Sequence, residues 1–566
     1  MKLTGAQIIV ETLLEQQVDT VFGYPGGTIL NVYDALYDYS DRITHILTAH
    51  EQGAAHAADG YARSTGKVGV CLATSGPGAA NLVTGIATAY MDSSPVVFIT
   101  CNVSENLIGR DSFQEVDITG ISMPITKCNY LVKDVDKLAD IIREAFAIAR
   151  SSRPGPVLID VVKNVTAEEA EYEFLPLSQH GNQGRLAAMR QRAAHDLNAP
   201  KINLDDIDTL LDMIDKSERP LALVGGGVIR SKGAVPQFRR FVERLGIPTA
   251  TTIMGGGALP GDHPLQTGMI GMHGSRCSNL ATGECDLLIA IGCRFSDRVA
   301  TNPAAFAKQA KIVHIDIDRS EVDKNVLTDH HIIGDACRVL ELLNEHLPQK
   351  DLSEWREHVF SRKEPPLVAG QALEPFQILQ AIQAEDTNAI IATDVGQHQM
   401  WACQYFHFSY PGQLITSGGF GTMGFGMGAA MGAKLGNPDK TVVLCSGDGC
   451  FRMNCHELCT AQRYNIPVII VIFNNGCLGM VRQWQSLLYR GRYSQTTLDR
   501  GPDFIKLADA YGIQGERAAT GEEFAAAFHR AVEAKAPYVI EAMLDSDARV
   551  HPMVSAGSPV TELLLD

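Results

Sequence analysis

Apolar residues along this chain keep two alternating rhythms. Short continuous runs rich in Val and Ile give way to longer stretches in which apolar positions recur at helical spacing. In the first block the runs at 19–24, 43–48, 68–74 and 95–101 predict strands, and the stretches 52–63 and 79–91 predict the helices between them. The segment Pro154-Gly155-Pro156 then introduces a last buried run over 157–162. Ahead of them all, Ile8, Ile9, Leu13 and Leu14 mark the inward face of an amphipathic N-terminal helix. Strands alternating with helices are the mark of a parallel sheet with crossover connections.

The same pattern returns twice. A polar stretch from Ala167 to about Asp205 reads as a linker, and a second block follows with runs at 220–224, 286–291 and 312–317. A further linker carries Pro348, Pro365 and Pro366 before a third block with runs at 389–393, 441–446 and 468–473. The expected domains are 1–166, 190–347 and 370–546, with a tail over 547–566 that shows little periodicity. Fold class is α/β, three domains, each a mainly parallel sheet flanked by helices. The first and third blocks echo each other, each placing a Gly-rich turn and a helix before a Val-Val strand, as two domains of one topology would.

Composition narrows the function. The 566 residues carry a net charge of −17, which argues against a general nucleic-acid binder. No run reaches the roughly 20 apolar residues of a membrane span. Thirteen cysteines contain no CxxC pair, so their spacing supports neither a zinc site nor a disulfide framework. The odd count and the absence of a signal-like N-terminus suit reduced thiols and a cytoplasmic location.

The sharpest local signal is Gly447-Asp448-Gly449, then twenty-four residues, then Asn474-Asn475, with both motifs following apolar strands. Ligands of open parallel sheets bind at the carboxyl ends of strands. Asp448 and Asn475 offer hard oxygen atoms that suit Mg²⁺ beside a diphosphate, and the glycines let backbone amides approach phosphate. Either motif alone is an ordinary turn. Glu51, in His50-Glu51-Gln52-Gly53-Ala54-Ala55, would by position alone be an acid favoured in a first helical turn.

With these motifs the chain resembles the thiamine-diphosphate-dependent enzymes, with a thiamine-diphosphate-binding fold and a central FAD-binding domain. The resemblance implies that Asp448, Asn475 and the Cys477 carbonyl hold Mg²⁺. It places Val395, Gly396, Gln397, His398, Gly447, Gly449, Cys450, Gly479 and Met480 around the diphosphate. Glu51 would activate the aminopyrimidine ring, flanked by Thr74, Pro77 and Asn81. Gly421 and Met423 would supply the apolar wedge that bends the cofactor.

Longer stretches resemble the acetohydroxyacid synthases. These are residues 22–27 (FGYPGG), 74–81 (TSGPGAAN), 109–115 (GRDSFQE) and 479–485 (GMVRQWQ). In the central block Gly271-Met272-His273-Gly274 and Arg294-Phe295-Ser296-Asp297-Arg298 resemble the flavin signature of that family. The implied FAD contacts are Arg153, Gly225, Gly226, Gly227, Met272, His273, Arg294, Asp316 and Asp335. Implied substrate contacts are Phe113, Gln114, Lys163, Arg298, Met480 and Trp484. Of these, Gln114, Arg298 and Trp484 join Glu51 and Met423 as the catalytic group. Arg298 would grip a 2-ketoacid carboxylate, and Trp484 would wall the alkyl group of 2-ketobutyrate.

The reaction so implied joins a two-carbon unit from pyruvate to pyruvate or 2-ketobutyrate, on the route to valine, leucine and isoleucine. Implied partners are a second copy in a homodimer, or a tetramer, with active sites at the interface, and a small regulatory subunit. Ser296 and Thr28 depart from the family's usual residues, and Cys450, Cys455 and Cys459 enrich a helix that is commonly poorer in sulfur. A flavin-dependent pyruvate oxidase, glyoxylate carboligase and a non-catalytic nucleotide-binding scaffold are the alternatives. Glu51 argues against the second, and Glu51, Asp448, Asn475 and Trp484 together argue against the third.

Overall fold

A computed structural model describes residues 1–176 and 201–565. The middle of the first linker, and the start of the second block at residue 190, lie outside the described residues. Three sheets of six strands follow one another along the chain, each with all its strands parallel.

The first sheet runs, edge to edge, Thr44–Leu47, Thr20–Gly23, Gly69–Ala73, Val96–Asn102, Val157–Val162 and Cys128–Val132. The third runs Leu414–Ile415, Ile390–Thr393, Val442–Gly447, Val468–Asn474, Tyr538–Met543 and Gln514–Ala518. Numbered within each sheet, both have strand order 2-1-3-4-6-5. The echo in the sequence is therefore a shared topology. The central sheet differs, with Gln266–Met269, Thr249–Thr251, Pro220–Val224, Leu287–Ile291, Lys311–Asp316 and His330–Ile333 in order 3-2-1-4-5-6. That order characterises dinucleotide-binding sheets. Helices cover both faces of each sheet, so inner strands such as Val157–Val162 and Leu287–Ile291 are buried at every position.

Both stretches read as linkers contain ordered elements. Glu169–Glu171 pairs antiparallel with Lys2–Thr4 at the N-terminus. Past Pro348, the helix Ser353–Phe360 buries Trp355 in the central core, where its indole N–H donates to the Pro220 carbonyl at 2.9 Å. Val550 still packs in the C-terminal core, but the chain then crosses to the central domain. Val554 N–H donates to the Met272 carbonyl at 2.7 Å, and Val560 joins the central core. Among the described residues, no helix is long and apolar enough to cross a membrane.

The first and third domains meet through two helices, Glu51–Thr65 and Phe425–Gly436. A Cβ at Gly432 would lie 1.9 Å from the Ala57 carbonyl oxygen, and one at Gly60 2.1 Å from that of Ala429. Backbone therefore touches backbone across this junction. Beside it Arg63 makes a two-pronged ion pair with Asp59, both contacts at 2.7 Å, and a third contact to Asp92 at 3.1 Å. The Asp92 carboxylate accepts the Gly418 and Gly419 N–H groups at 3.2 and 2.7 Å, and its carbonyl accepts Arg230 Nε at 3.0 Å. All three domains meet at this one aspartate.

Candidate active site

Three neighbouring strands of the third sheet end side by side. The register pairs Thr393 with Cys445 and Gly447 with Phe473. Val395, Gly396, Gln397 and His398, then Asp448, Gly449 and Cys450, then Asn475 and Cys477 therefore share one edge, where ligands bind in parallel sheets.

Asp448 opens the helix Asp448–Asn454 and is 2% exposed, and its Oδ2 has no hydrogen-bond partner. Burial pushes its carboxyl up to about 6. A buried carboxylate oxygen left without a partner is costly unless something charged completes it. Asn475 Nδ2 donates to Gln397 Oε1 at 3.0 Å, and Asn475 Oδ1 accepts the Cys477 N–H at 3.4 Å. Two hard oxygens and the adjoining Cys477 carbonyl fit a Mg²⁺ ion.

The Gln397 side chain is committed within the protein, since its Nε2 also donates to Gln483 Oε1 and the Ala548 carbonyl. Its backbone N–H, at the start of the helix Gln397–Tyr405, is the group left to face a phosphate. His398 is buried with Nε2 unpartnered, and burial pushes its imidazole down to about 3, so the ring is neutral. Asp394, which sequence reasoning missed, accepts the Ser446 hydroxyl at 2.6 Å and the Gly426 N–H at 3.0 Å. It ties the strand ends to the turn bearing Met423. That turn bends at Gly421 and Gly424, with φ of +70° and +85°. Its Thr422 hydroxyl shares a 2.7 Å hydrogen bond with that of Thr88 in the first domain.

In the first domain Glu51 begins its helix and is 8% exposed, and its Oε2 accepts Asn81 Nδ2 at 3.0 Å. His50 caps the helix, its Nδ1 accepting the Gln52 N–H at 3.1 Å. Pro77 opens the short helix Pro77–Ala80. Thr28 is placed to brace Thr74, with 2.9 Å between their hydroxyls. Gln114, at a φ of +60°, packs its backbone against Gly76, while Phe113 and Lys163 stand exposed.

A cavity of about 1140 Å³ opens where the three domains meet. Gly226 and Gly227, just past Pro220–Val224, and Gly292 and Cys293, just past Leu287–Ile291, line it where the central strand order reverses and dinucleotides bind in such sheets. Arg153, Gly226, Gly227, Met272, His273, Arg294, Asp316 and Asp335 line it. Gly225 stands behind the wall, so close to Gly292 that a Cβ would meet its carbonyl oxygen at 2.1 Å. Arg153 is shared with Ser93, Asp318 and Glu321, and Asp335 caps the helix Ala336–His346. The unusual Ser296 leaves its turn intact, because its carbonyl accepts the Val299 and Ala300 N–H groups at 2.9 and 2.8 Å. A cavity of this size at that crevice, with cations beside it, fits a dinucleotide such as FAD. Arg298, Val395, Gly396, Gly421, Met480 and Trp484 line the cavity too. Glu51, Thr74, Pro77, Asn81, Phe113, Gln114 and Lys163 do not line this cavity. Neither do Met423, Asp448, Asn475 and Cys477, so the cavity of one chain holds only part of the candidate set.

Comparison with known proteins agrees with this layout. Residues 3–121 match the family described as thiamine pyrophosphate enzyme, N-terminal TPP binding domain. Residues 207–343 match its central domain, and 394–542 its C-terminal TPP binding domain. A probable acetolactate synthase large subunit from Methanocaldococcus jannaschii is 45% identical, covering 99% of this chain and 95% of the relative. The acetolactate synthase isozyme 2 large subunit of Escherichia coli is 43% identical over 99% of both chains. An acetolactate synthase from Arthrospira platensis is 42% identical over 100% of this chain and 98% of its own. By sheet order, by domain sequence and by full-length likeness, the chain belongs to the thiamine pyrophosphate enzyme family, among the acetolactate synthase large subunits.

Proposed function

We propose that this chain decarboxylates pyruvate and condenses the remaining two-carbon unit with pyruvate, giving 2-acetolactate, or with 2-ketobutyrate, giving 2-aceto-2-hydroxybutyrate. The observation that carries the reading is the buried Asp448 carboxylate, whose Oδ2 lacks a partner, beside Asn475 at the carboxyl edge of the third sheet. Asp448, Asn475 and the Cys477 carbonyl hold Mg²⁺, and the amides at the helix starts beside Gly396 and Gly447 face the diphosphate. Bound thiamine diphosphate supplies the electron sink that takes up the electron pair as CO₂ leaves.

The chain's own groups do the rest. Glu51, oriented by Asn81, presents its carboxylate to the aminopyrimidine ring and exchanges a proton there. Met423 offers an apolar surface that fixes geometry without competing for protons. Arg298 grips the acceptor's carboxylate, while Trp484 and Met480 wall its alkyl group. Arg153, Gly226, Gly227, Met272, His273, Arg294, Asp316 and Asp335 hold FAD, which keeps its redox state because the net reaction transfers no electrons.

The cavity of one chain does not gather the whole candidate set, which suits a site completed by a second copy. In a two-fold dimer, Glu51 with Phe113, Gln114 and Lys163 of one protomer completes the site of its partner. A small regulatory subunit is a further expected partner, and the free thiols suit a cytoplasmic enzyme. The test is anaerobic incubation with pyruvate, with and without thiamine diphosphate and Mg²⁺, while the flavin spectrum is followed. Acetolactate should form only when both are present, with the flavin staying oxidised. Pyruvate consumption with stoichiometric flavin reduction would replace this reading with an oxidase.

A further inference from the structure

Besides the first domain's own Thr48 N–H to Gly23 carbonyl bond, three contacts reach the backbone that delivers Glu51 from the C-terminal domain of the same chain. The Leu47 N–H donates to the Tyr464 hydroxyl at 3.0 Å, the Ala49 N–H to Glu457 Oε2 at 3.0 Å and the His50 N–H to Glu457 Oε1 at 3.1 Å. Glu457 is fully buried, and its Oε2 also accepts the Thr460 hydroxyl at 2.6 Å. Gly53 makes room for it, since a Cβ there would lie 2.0 Å from Glu457 Oε1. A carboxylate with each oxygen on a different amide fixes the rotation of a segment as well as its distance. The same carboxylate sits at the positive end of the Glu51–Thr65 helix, which favours it there.

Glu457 closes the turn Cys455–Glu457, which continues directly from the helix that opens on Asp448. One short run thus joins the candidate metal ligand to the segment bearing Glu51. We propose that Glu457 is a positioning residue: it sets where the Glu51 carboxylate stands, without itself touching cofactor or substrate. This rests on the reading of Glu51 as the activating acid. On the shared-site arrangement, it also ties each chain's own metal-site helix to the acid which that chain lends to the other site.

The experiment uses full-length Glu457→Gln, which keeps the shape and one acceptor but turns an NH₂ group toward the second amide. In the cofactor-free protein, amide hydrogen exchange of the 47–53 segment should quicken at least about tenfold. In the loaded enzyme, C2 proton exchange of bound thiamine diphosphate should slow at least about tenfold, while KM for pyruvate stays within about threefold. Gly53→Ala displaces the Glu457 carboxylate without removing it and should reproduce both effects, with the double variant no worse than the slower single one. Should Glu457→Gln not fold, Tyr464→Phe, which removes the acceptor for Leu47, carries the same measurements.

Wild-type C2 exchange in Glu457→Gln, with only a lower melting temperature, would make Glu457 a plain staple between domains and overturn the proposal. Glu51→Gln is measured alongside. If it exchanges slowly while Glu457→Gln does not, only the positioning role falls. If it too exchanges at the wild-type rate, the activating role of Glu51 falls as well.

Discussion

Two side chains show how local surroundings set behaviour. Trp484 stands on the cavity wall with Met480 and Arg298. Trp484→Leu should reduce the preference for 2-ketobutyrate over pyruvate by up to about 1–3 kcal/mol, the worth of one methylene contact. Acetolactate should still form, because on the proposed reading Arg298 still holds the carboxylate. Competition between the two acceptors, scored by product ratio, checks this, and an unchanged ratio with lower overall activity would make Trp484 structural. Asp160 concerns stability instead. It is 1% exposed and accepts the Thr100 hydroxyl and Asn102 Nδ2, each at 2.7 Å, yet burial outweighs these bonds and pushes its carboxyl up to about 6. A raised acid favours folding while protonated, and that advantage is lost as pH rises from about 4 through about 6. Between pH 4 and pH 7.5 the wild type should therefore lose up to about 3 kcal/mol relative to Asp160→Asn. Urea midpoints of both proteins at the two pH values measure the difference, and a gap that moves the other way would refute it.

At the scale of elements, the decisive junction is the glycine-lined pair Glu51–Thr65 and Phe425–Gly436. Alanine is normally better than glycine inside a helix by roughly 1 kcal/mol. Gly432→Ala should nevertheless destabilise the protein by about 1–3 kcal/mol, because its Cβ meets the Ala57 carbonyl. A urea midpoint at or above wild type would show that the helices can part without cost. Nothing in the local sequence announces this contact, and the reason is general to the chain. Inner strands were legible because burial on both faces makes them continuous apolar runs, as in Val157–Val162. Most edge strands were not: Gln514–Ala518 and His330–Ile333 mix polar residues with apolar ones, and Leu414–Ile415 is very short. Tyr538–Met543, an inner strand, was hidden by Glu541, whose charge is matched by Arg517 at 2.7 Å. In the site, Asp448 and Asn475 could be read because each lies in a compact motif after a strand. Glu457, Asp394 and Asp92 could not, because their partners are distant in sequence: Glu457 meets Ala49 across 408 positions.

For the molecule as a whole, the proposed shared-site arrangement leads to a mixing experiment. Glu51→Gln and Asp448→Ala chains should each be inactive alone. Unfolded and refolded together, they should regain about a quarter of wild-type activity, since random pairing into closed two-fold dimers leaves one intact site in every mixed pair. No recovery, with mixed dimers shown to form, would place both residues in a site built from a single chain. The residues beyond Asp547 add a different consequence. Val554 is bonded to Met272 on the cavity wall, and Thr301 of the central domain donates to the Ser558 carbonyl at 2.7 Å. Chains fold domain by domain from the N-terminus as they are made. The central domain emerges from the ribosome long before its clasp, because a complete domain must be translated in between. The cavity beside the central sheet therefore spends that interval with one wall unfastened, and on the proposed reading secure loading of a flavin there would be a late event in the protein's birth.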